Sequence, residues 1–312
     1  MKRIIGQYNG SEEGALVIAI AAMHGNEPAG VKALEKLFKM LADEPKRNPN
    51  FRFRGRLVGV IGNTCAYKQG KRFIEKDLNR QFPNERFDFR EKKETPQYVD
   101  LFNEDLELKE LLQCIENEII THKPKKLIVL DLHTTSALGG VFTIVGEDAE
   151  SFLIATELHA PVLTGFIKGL GGTSLHYFKT ENMGVPTVAL SFEAGQHDDA
   201  ISVYRAVAWL VNALRAVGCV AQHDVESRHE EILRGYARNL PKVVQLIDSH
   251  KITNEDNFKM LPNFKNFQTV KKGEILATDK TGDITAPEDC LILMPLYQPQ
   301  GSDGFFLVKA IS

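Results

Sequence analysis

Four short, continuous apolar runs, each giving way to charged or polar residues, constrain this chain more than any other feature. They are residues 15–22 (ALVIAIAA), 56–61 (RLVGVI), 126–132 (KLIVLDL) and 187–192 (TVALSF). Unbroken β-branched runs of this length suit strands buried on both faces, as in a sheet covered by helices. Helical patterns lie between them. Residues 28–41 place Val31, Leu34, Leu37, Phe38 and Leu41 at helical spacing, with Pro28 suited to the first turn. Residues 96–122 and 199–217 are the other helical stretches, the last closed by Gly218. Strands alternating with helices predict an α/β domain over residues 1–222. Ligands of open α/β sheets bind beyond the carboxyl ends of the strands. The runs lead into His24 to Glu27, the loop from Asn63 to Arg80, Asp131 to His133, and Glu193, so these residues are expected to converge on one crevice.

The pattern changes after residue 222. A helical segment at 228–238 precedes an apolar run at 243–247, then short strands at 273–277, 282–285, 290–294 and 305–308, broken by Gly and Asp. This predicts a small β-rich domain over residues 223–312. With 312 residues, 43% of them apolar and 25% charged, the chain can hold one large domain and a small appendage. A net charge of -3 excludes a protein-wide attraction to nucleic acid or anionic membrane. No apolar run approaches the roughly 18 residues of a membrane helix, and the N-terminal residues do not form a secretory leader. Cys65, Cys114, Cys219 and Cys290 are scattered without a CxxC pair, as for reduced thiols. The expected location is cytoplasmic.

His24 and Glu27 stand three residues apart at a strand-to-helix junction, and His133 closes a distant strand. Two imidazoles and one carboxylate, with a fourth position open, form a known arrangement for catalytic zinc. The alternatives for the single residues are a helix-capping Glu beside a surface His, and a hydrogen-bonded core His.

Taken in order, His24-Gly25-Asn26-Glu27, Gly70-Lys71-Arg72, Asp77-Leu78-Asn79-Arg80, Asp131-Leu132-His133-Thr134 and Phe192-Glu193-Ala194-Gly195 resemble the motifs of the succinylglutamate desuccinylase/aspartoacylase family, part of the metallocarboxypeptidase-like group. The resemblance runs from about Gly14 to Gly195 and resumes at residues 272–277 and 305–312. It implies a mixed sheet flanked by helices, with a C-terminal β-domain covering part of the active-site mouth. It also implies one zinc ion per chain on His24, Glu27 and His133, with Glu193 as the acid/base that takes a proton from the attacking water and returns it to the leaving amine. Arg72 corresponds to the oxyanion-stabilising arginine, Asn79 and Arg80 to the pair that grips the substrate carboxylate, and Tyr177 to a substrate-contacting tyrosine.

The implied activity is hydrolysis of the amide bond in a small N-acyl amino acid bearing a carboxylate. Its rivals are a zinc carboxypeptidase acting on small peptides or peptidoglycan, and a non-catalytic binding protein of the same fold. Oligomerisation is compatible with all three. Glu181, with Lys179 nearby, stands where aspartoacylase-like sequences carry an arginine for a second substrate carboxylate. A carboxylate there predicts a neutral or cationic substrate in place of a dicarboxylic one. Gly169 to Gly172 lacks the ending of a phosphate loop and is expected to be an active-site loop. Asp131 is either a partner that orients His133 or a strand terminator.

Overall fold

The computed structural model describes residues 1–87, 103–224 and 228–311. The N-terminal half holds β1 (Ile4–Asn9), β2 (Glu12–Ala21), α1 (Ala29–Arg47), β3 (Arg54–Ile61), α2 (Thr64–Gln69), a 3-10 turn at Leu78–Arg80, α3 (Asn103–His122) and β4 (Leu127–Thr135). Next come β5 (Phe142–Val145), α4 (Ala149–Thr156), β6 (Val162–Thr164), the single turns α5 (Phe166–Gly169), α6 (Ser174–Tyr177) and α7 (Thr180–Met183), then β7 (Thr187–Gln196) and α8 (Ile201–Ala216). The remainder is α9 (Arg228–Ala237), β8 (Val243–Lys251), β9 (Lys259–Met260), β10 (Gln268–Val270), β11 (Ile275–Asp279), β12 (Gly282–Thr285), β13 (Cys290–Leu293) and β14 (Asp303–Ile311). No described helix is long and apolar enough to cross a membrane.

Strands β3, β2, β4 and β7 pair in parallel in that order. The sheet is mixed because β1 joins β3, and β5 joins β7, in antiparallel register. It continues through β6, β8, β14, β13 and β10, while β12, β11 and β9 form a separate sheet. The C-terminal strands thus extend the main sheet and also enclose a core of their own around Phe264, Leu276, Ile292 and Leu307.

Strand alternation divides the main core in two and places the polar residues. On β4, Ile128, Leu130 and Leu132 belong to the core shared with α1 and α8, whereas Leu127 and Val129 belong to the core shared with α3. With a side-chain period of two, Asp131 and His133 continue the α3 face. On β7, Ala189 lies in the α3-side core, and the same period carries that face to Ser191 and Glu193. The register sets Asp131 beside Ser191 and His133 beside Glu193. Opposite them, Phe192 stacks on Trp209 of α8 with ring centroids 4.9 Å apart, and Trp209 Nε1 donates to Thr143 Oγ1 at 2.9 Å.

The predicted apolar runs are strands β2, β3, β4 and β7, but the last two run further than expected. His133 and Glu193 therefore lie inside strand ends, held by ladder hydrogen bonds, where the sequence pattern placed them at run ends. The helix expected at 96–122 is seen from Asn103; residues 96–102 lie outside the described residues. β5, β6 and the single-turn helices are too short to carry a periodic signal.

Two buried carboxylates of α3 fix the loops that face the crevice. Glu104 Oε1 accepts from Ile74 N–H at 2.7 Å and Asn63 Nδ2 at 3.2 Å, and its Oε2 accepts from the N–H groups of Glu75 and Lys76 at 3.1 and 3.3 Å. Glu107 accepts from the N–H groups of Thr64 and Cys65, both at 2.9 Å. A buried carboxylate is tolerable only with such donors. Replacing Glu104 with Ala leaves several donors without an acceptor and is expected to cost about 3 kcal/mol or more. Thermal unfolding checks this: a lowered Tm is expected, and an unchanged Tm contradicts the account.

Candidate functional site

The chain leaves β2 in a sharp turn, with Ala22 at φ 50°. Gly25 then approaches α2 so closely that a Cβ would lie 2.1 Å from the Ala66 carbonyl carbon, and its N–H donates to the Arg72 carbonyl at 3.2 Å. No other residue fits there, and the contact binds the His24–Glu27 turn to the Arg72 loop. His24 Nδ1 lies 2.8 Å from Glu27 Oε1, and His133 Nδ1 lies 3.2 Å from Glu27 Oε2. The Thr134 N–H also donates to Glu27 Oε2, at 2.9 Å. His24, Glu27 and His133 are buried, and one donor atom from each falls within 4.8 Å of the others. The structure thus brings together three residues spread over 110 positions of sequence, as a single cation would require.

Charge is concentrated here. Burial opposes ionisation of Glu27, but the charges and hydrogen bonds of His24 and His133 outweigh it and hold the carboxyl well below its usual range. Burial also disfavours the charged form of His133, yet Asp131 and Glu27 raise its pKa well above the ordinary imidazole value. His133 Nε2 lies 3.1 Å from Asp131 Oδ2 without forming a hydrogen bond. Asp131, left between two roles by the sequence, is buried beside His133 and receives the Ser174 hydroxyl. Burial, with Glu27 and Asp131 adding repulsion against the pull of His133 and Arg72, pushes Glu193 up to about 8. Buried atoms without a hydrogen-bond partner here include His133 Nε2, Glu193 Oε2 and Asp131 Oδ1. That unmet demand, together with two imidazoles and a carboxylate as donors, fits a zinc ion.

Arg72 reaches the same cavity from the loop after α2. Its Nη2 and Nε donate to Asp77 Oδ2 at 3.0 and 3.3 Å, and Nη1 lies 3.6 Å from Glu27 Oε1. Burial works against its charge, but Asp77 and Glu27 secure it. The structural pairing with Asp77 and the placement in the cavity hold together. Asp77 is a hub: its Oδ1 lies 3.1 Å from His24 Nε2 and accepts the Asn79 N–H at 2.9 Å.

Asn79 and Arg80 line the cavity as well. Asn79 Oδ1 accepts the Ser174 N–H at 2.8 Å, which leaves its amide nitrogen as the donor. Arg80 Nη1 donates to the Asn79 carbonyl at 2.8 Å and Nη2 to Asp303 Oδ2 at 2.6 Å. Gly172, at φ 76°, packs on this residue, where a Cβ would meet the Arg80 carbonyl oxygen at 2.4 Å. Gly172 is therefore a packed support for Arg80.

Tyr177 is not brought to the cavity. It is 2% exposed, its ring contacts Phe82 and Phe178, and its hydroxyl accepts the Phe87 N–H at 3.2 Å. An aromatic ring inside the α3-side core gains more from packing than from solvent. Glu181 is exposed and absent from the lining, so the repulsion expected from it is not exerted there.

The resemblance implies a C-terminal cover over the active-site mouth, but names none of the residues it contributes. Met294, Leu296, Gln298, Ser302, Asp303 and Phe306 all line the cavity, which encloses about 100 Å³. The loop between β13 and β14 is tied down by Asn26 Nδ2 to Gln298 Oε1 at 2.9 Å, Gln300 Nε2 to the Phe73 carbonyl at 3.2 Å, and the Arg80–Asp303 pair. A lone Asp before Gly304 gives no sequence signal. His197 joins the same network, with its Nδ1 2.7 Å from Thr134 Oγ1 and Nε2 3.3 Å from Gln298 Oε1.

A family model described as the succinylglutamate desuccinylase/aspartoacylase catalytic domain matches residues 13–199. Among curated proteins, the chain is 32% identical over 139 residues to a probable aspartoacylase of Nostoc sp., covering 44% of this chain and 41% of that relative. It is 42% identical over 62 residues to a succinylglutamate desuccinylase of Pseudomonas putida, covering 20% and 17%. The chain thus aligns with less than half the length of these relatives. Similar solved structures include the ectoine utilization protein EutE (DoeB) of Ruegeria pomeroyi, at TM-score 0.63, 18% identity and coverage of 97% and 87%. Another is a succinylglutamate desuccinylase of Vibrio cholerae, at TM-score 0.61, 16% identity and coverage of 96% and 82%. These structural likenesses establish the fold.

The raised pKa of His133 has a consequence for metal loading. Below that folded value the ring carries a proton that a metal must displace, so affinity falls as the pH is lowered, by about tenfold per unit for one released proton. Zinc titration against a competing chelator at pH 6, 7 and 8 checks this; a flat profile contradicts it.

Proposed function

The chain belongs to the succinylglutamate desuccinylase/aspartoacylase family, and from that premise we propose that it is a zinc-dependent hydrolase of the amide bond in small N-acyl amino acids. The observation that carries this reading is the closure of His24, Glu27 and His133 around one point, with Glu193 and Arg72 lining the same cavity. His24, Glu27 and His133 would hold the cation. A zinc ion there supplies acidification of a water molecule and polarisation of a carbonyl.

The remaining work falls to the chain's own side chains. Glu193 takes the proton released as water adds to the acyl carbon, then delivers it to the nitrogen as the C–N bond breaks; the carboxylic acid formed gives its own proton to the amine, so the products part as carboxylate and ammonium. An acid/base whose pKa lies near neutrality serves both directions; burial raises the Glu193 carboxyl toward that range, and the charge of a bound cation would oppose that rise. The fixed charge of Arg72 faces negative charge developing on the former carbonyl oxygen; Asp77 holds its planar end still, so little reorganisation is needed. Asn79 and Arg80 offer the donors for a substrate carboxylate. The small enclosed volume and the tethered β13–β14 loop favour small acyl amino acids over peptides.

Glu193→Gln is expected to retain its metal and lose roughly 100- to 10,000-fold in turnover, measured by metal analysis beside an assay over N-acetyl, N-formyl and N-succinyl amino acids; near wild-type activity would remove the proton-transfer role. Arg80→Ala is expected to raise KM for carboxylate-bearing substrates more than for their amidated counterparts. Equal effects in steady-state kinetics contradict the clamp.

A further inference from the structure

We propose that the preferred substrate carries a single carboxylate and a hydrocarbon remainder, because the cavity places one carboxylate-binding pair, Asn79 and Arg80, beside a hydrocarbon surface and holds no Lys or Arg besides Arg72 and Arg80 among the described residues. This rests on the deacylase reading above and narrows its substrate class.

The donors can be followed atom by atom. Arg72 spends Nε and Nη2 on Asp77, and its Nη1 lies 3.6 Å from Glu27. Arg80 gives Nη1 to the Asn79 carbonyl and Nη2 to Asp303, which leaves Nε buried without an acceptor. Asn79 keeps its amide N–H pair, since Ser174 occupies its oxygen. Arg80 Nε and the Asn79 amide together suit the two oxygens of one carboxylate.

No further Lys or Arg lines the cavity among the described residues. Three of the lining hydroxyls are already engaged: Thr134 with His197, Thr135 with the Ala137 carbonyl, and Ser174 with Asp131. Much of the remaining lining is hydrocarbon, from Ile144, Phe166, Leu175, Met294, Leu296 and Phe306. A second carboxylate would be desolvated against that wall and would face Glu27, Glu193 and Asp303. A hydrocarbon group would gain there, by roughly fourfold in affinity for each methylene buried.

Binding and turnover test this separately. Zinc-loaded Glu193→Gln protein is titrated by calorimetry with N-acetyl-L-leucine, N-acetyl-L-aspartate and N-succinyl-L-glutamate, and wild-type turnover is measured on the same three. The expected result is at least tenfold tighter binding of N-acetyl-L-leucine. The variant removes one repelling carboxylate, so it biases the comparison against the proposal. Equal or tighter binding of either dicarboxylic compound, or no binding of N-acetyl-L-leucine, overturns the substrate class. Turnover of a dicarboxylic compound alongside that result leaves the deacylase reading standing. Preferential binding of N-acetyl-L-leucine without turnover of any compound supports the cavity assignment and counts against the deacylase reading. Leu296→Arg, in the β13–β14 loop, is expected to shift relative affinity toward N-acetyl-L-aspartate by tenfold or more; an unchanged ratio overturns the role of the wall.

Discussion

The carboxylate of Glu27, buried between the rings of His24 and His133, is the contact on which the rest of the site depends. An isolated carboxylate moved out of water is penalised by several kcal/mol. Here two imidazoles, the Thr134 N–H and the nearby Arg72 guanidinium offset that penalty. Asp77 and Asp131 add negative charge on either side. Asp131 and Glu27 raise the pKa of His133, and burial, with repulsion from Glu27 and Asp131, raises that of Glu193. A divalent cation would add a fixed charge at the same place.

The scaffold reaches this arrangement through strand alternation. One face of β4 and β7 is apolar at Leu127, Val129 and Ala189 and then turns polar toward the strand ends, where Asp131, His133, Ser191 and Glu193 emerge side by side. The opposite face stays apolar through Leu132 and Ala194 and packs against α1 and α8. Polar groups are therefore held on rigid strands rather than on mobile loops, as precise positioning requires. The loop carrying Arg72 and Arg80 gains comparable rigidity from Glu104 behind it and Gly172 beside it.

The sequence made legible what local pattern encodes. Continuous apolar runs announced the four central strands, and the motifs that follow them held all three residues of the His24, Glu27 and His133 cluster. What remained illegible depends on long-range contact. Asp303 meets Arg80 across 223 positions, and nothing around it distinguishes it from any other strand-opening acid. Tyr177 shows the converse: a motif position suggested a substrate contact, but the packing of Phe82 and Phe178 draws the ring into the core. Glu181 likewise gave a charge argument that fails once its side chain is seen to lie outside the cavity. Short elements such as β5 and β6 were invisible because three or four residues carry no period, although β5 supplies Ile144 to the cavity wall.

Anomalous scattering at the zinc edge, from crystals of the zinc-loaded protein, tests the central claim most directly. A single strong peak is expected about 2.0–2.2 Å from one nitrogen each of His24 and His133 and from a Glu27 oxygen. A peak bound elsewhere on the chain, with these three side chains left in contact only with one another, would contradict the account.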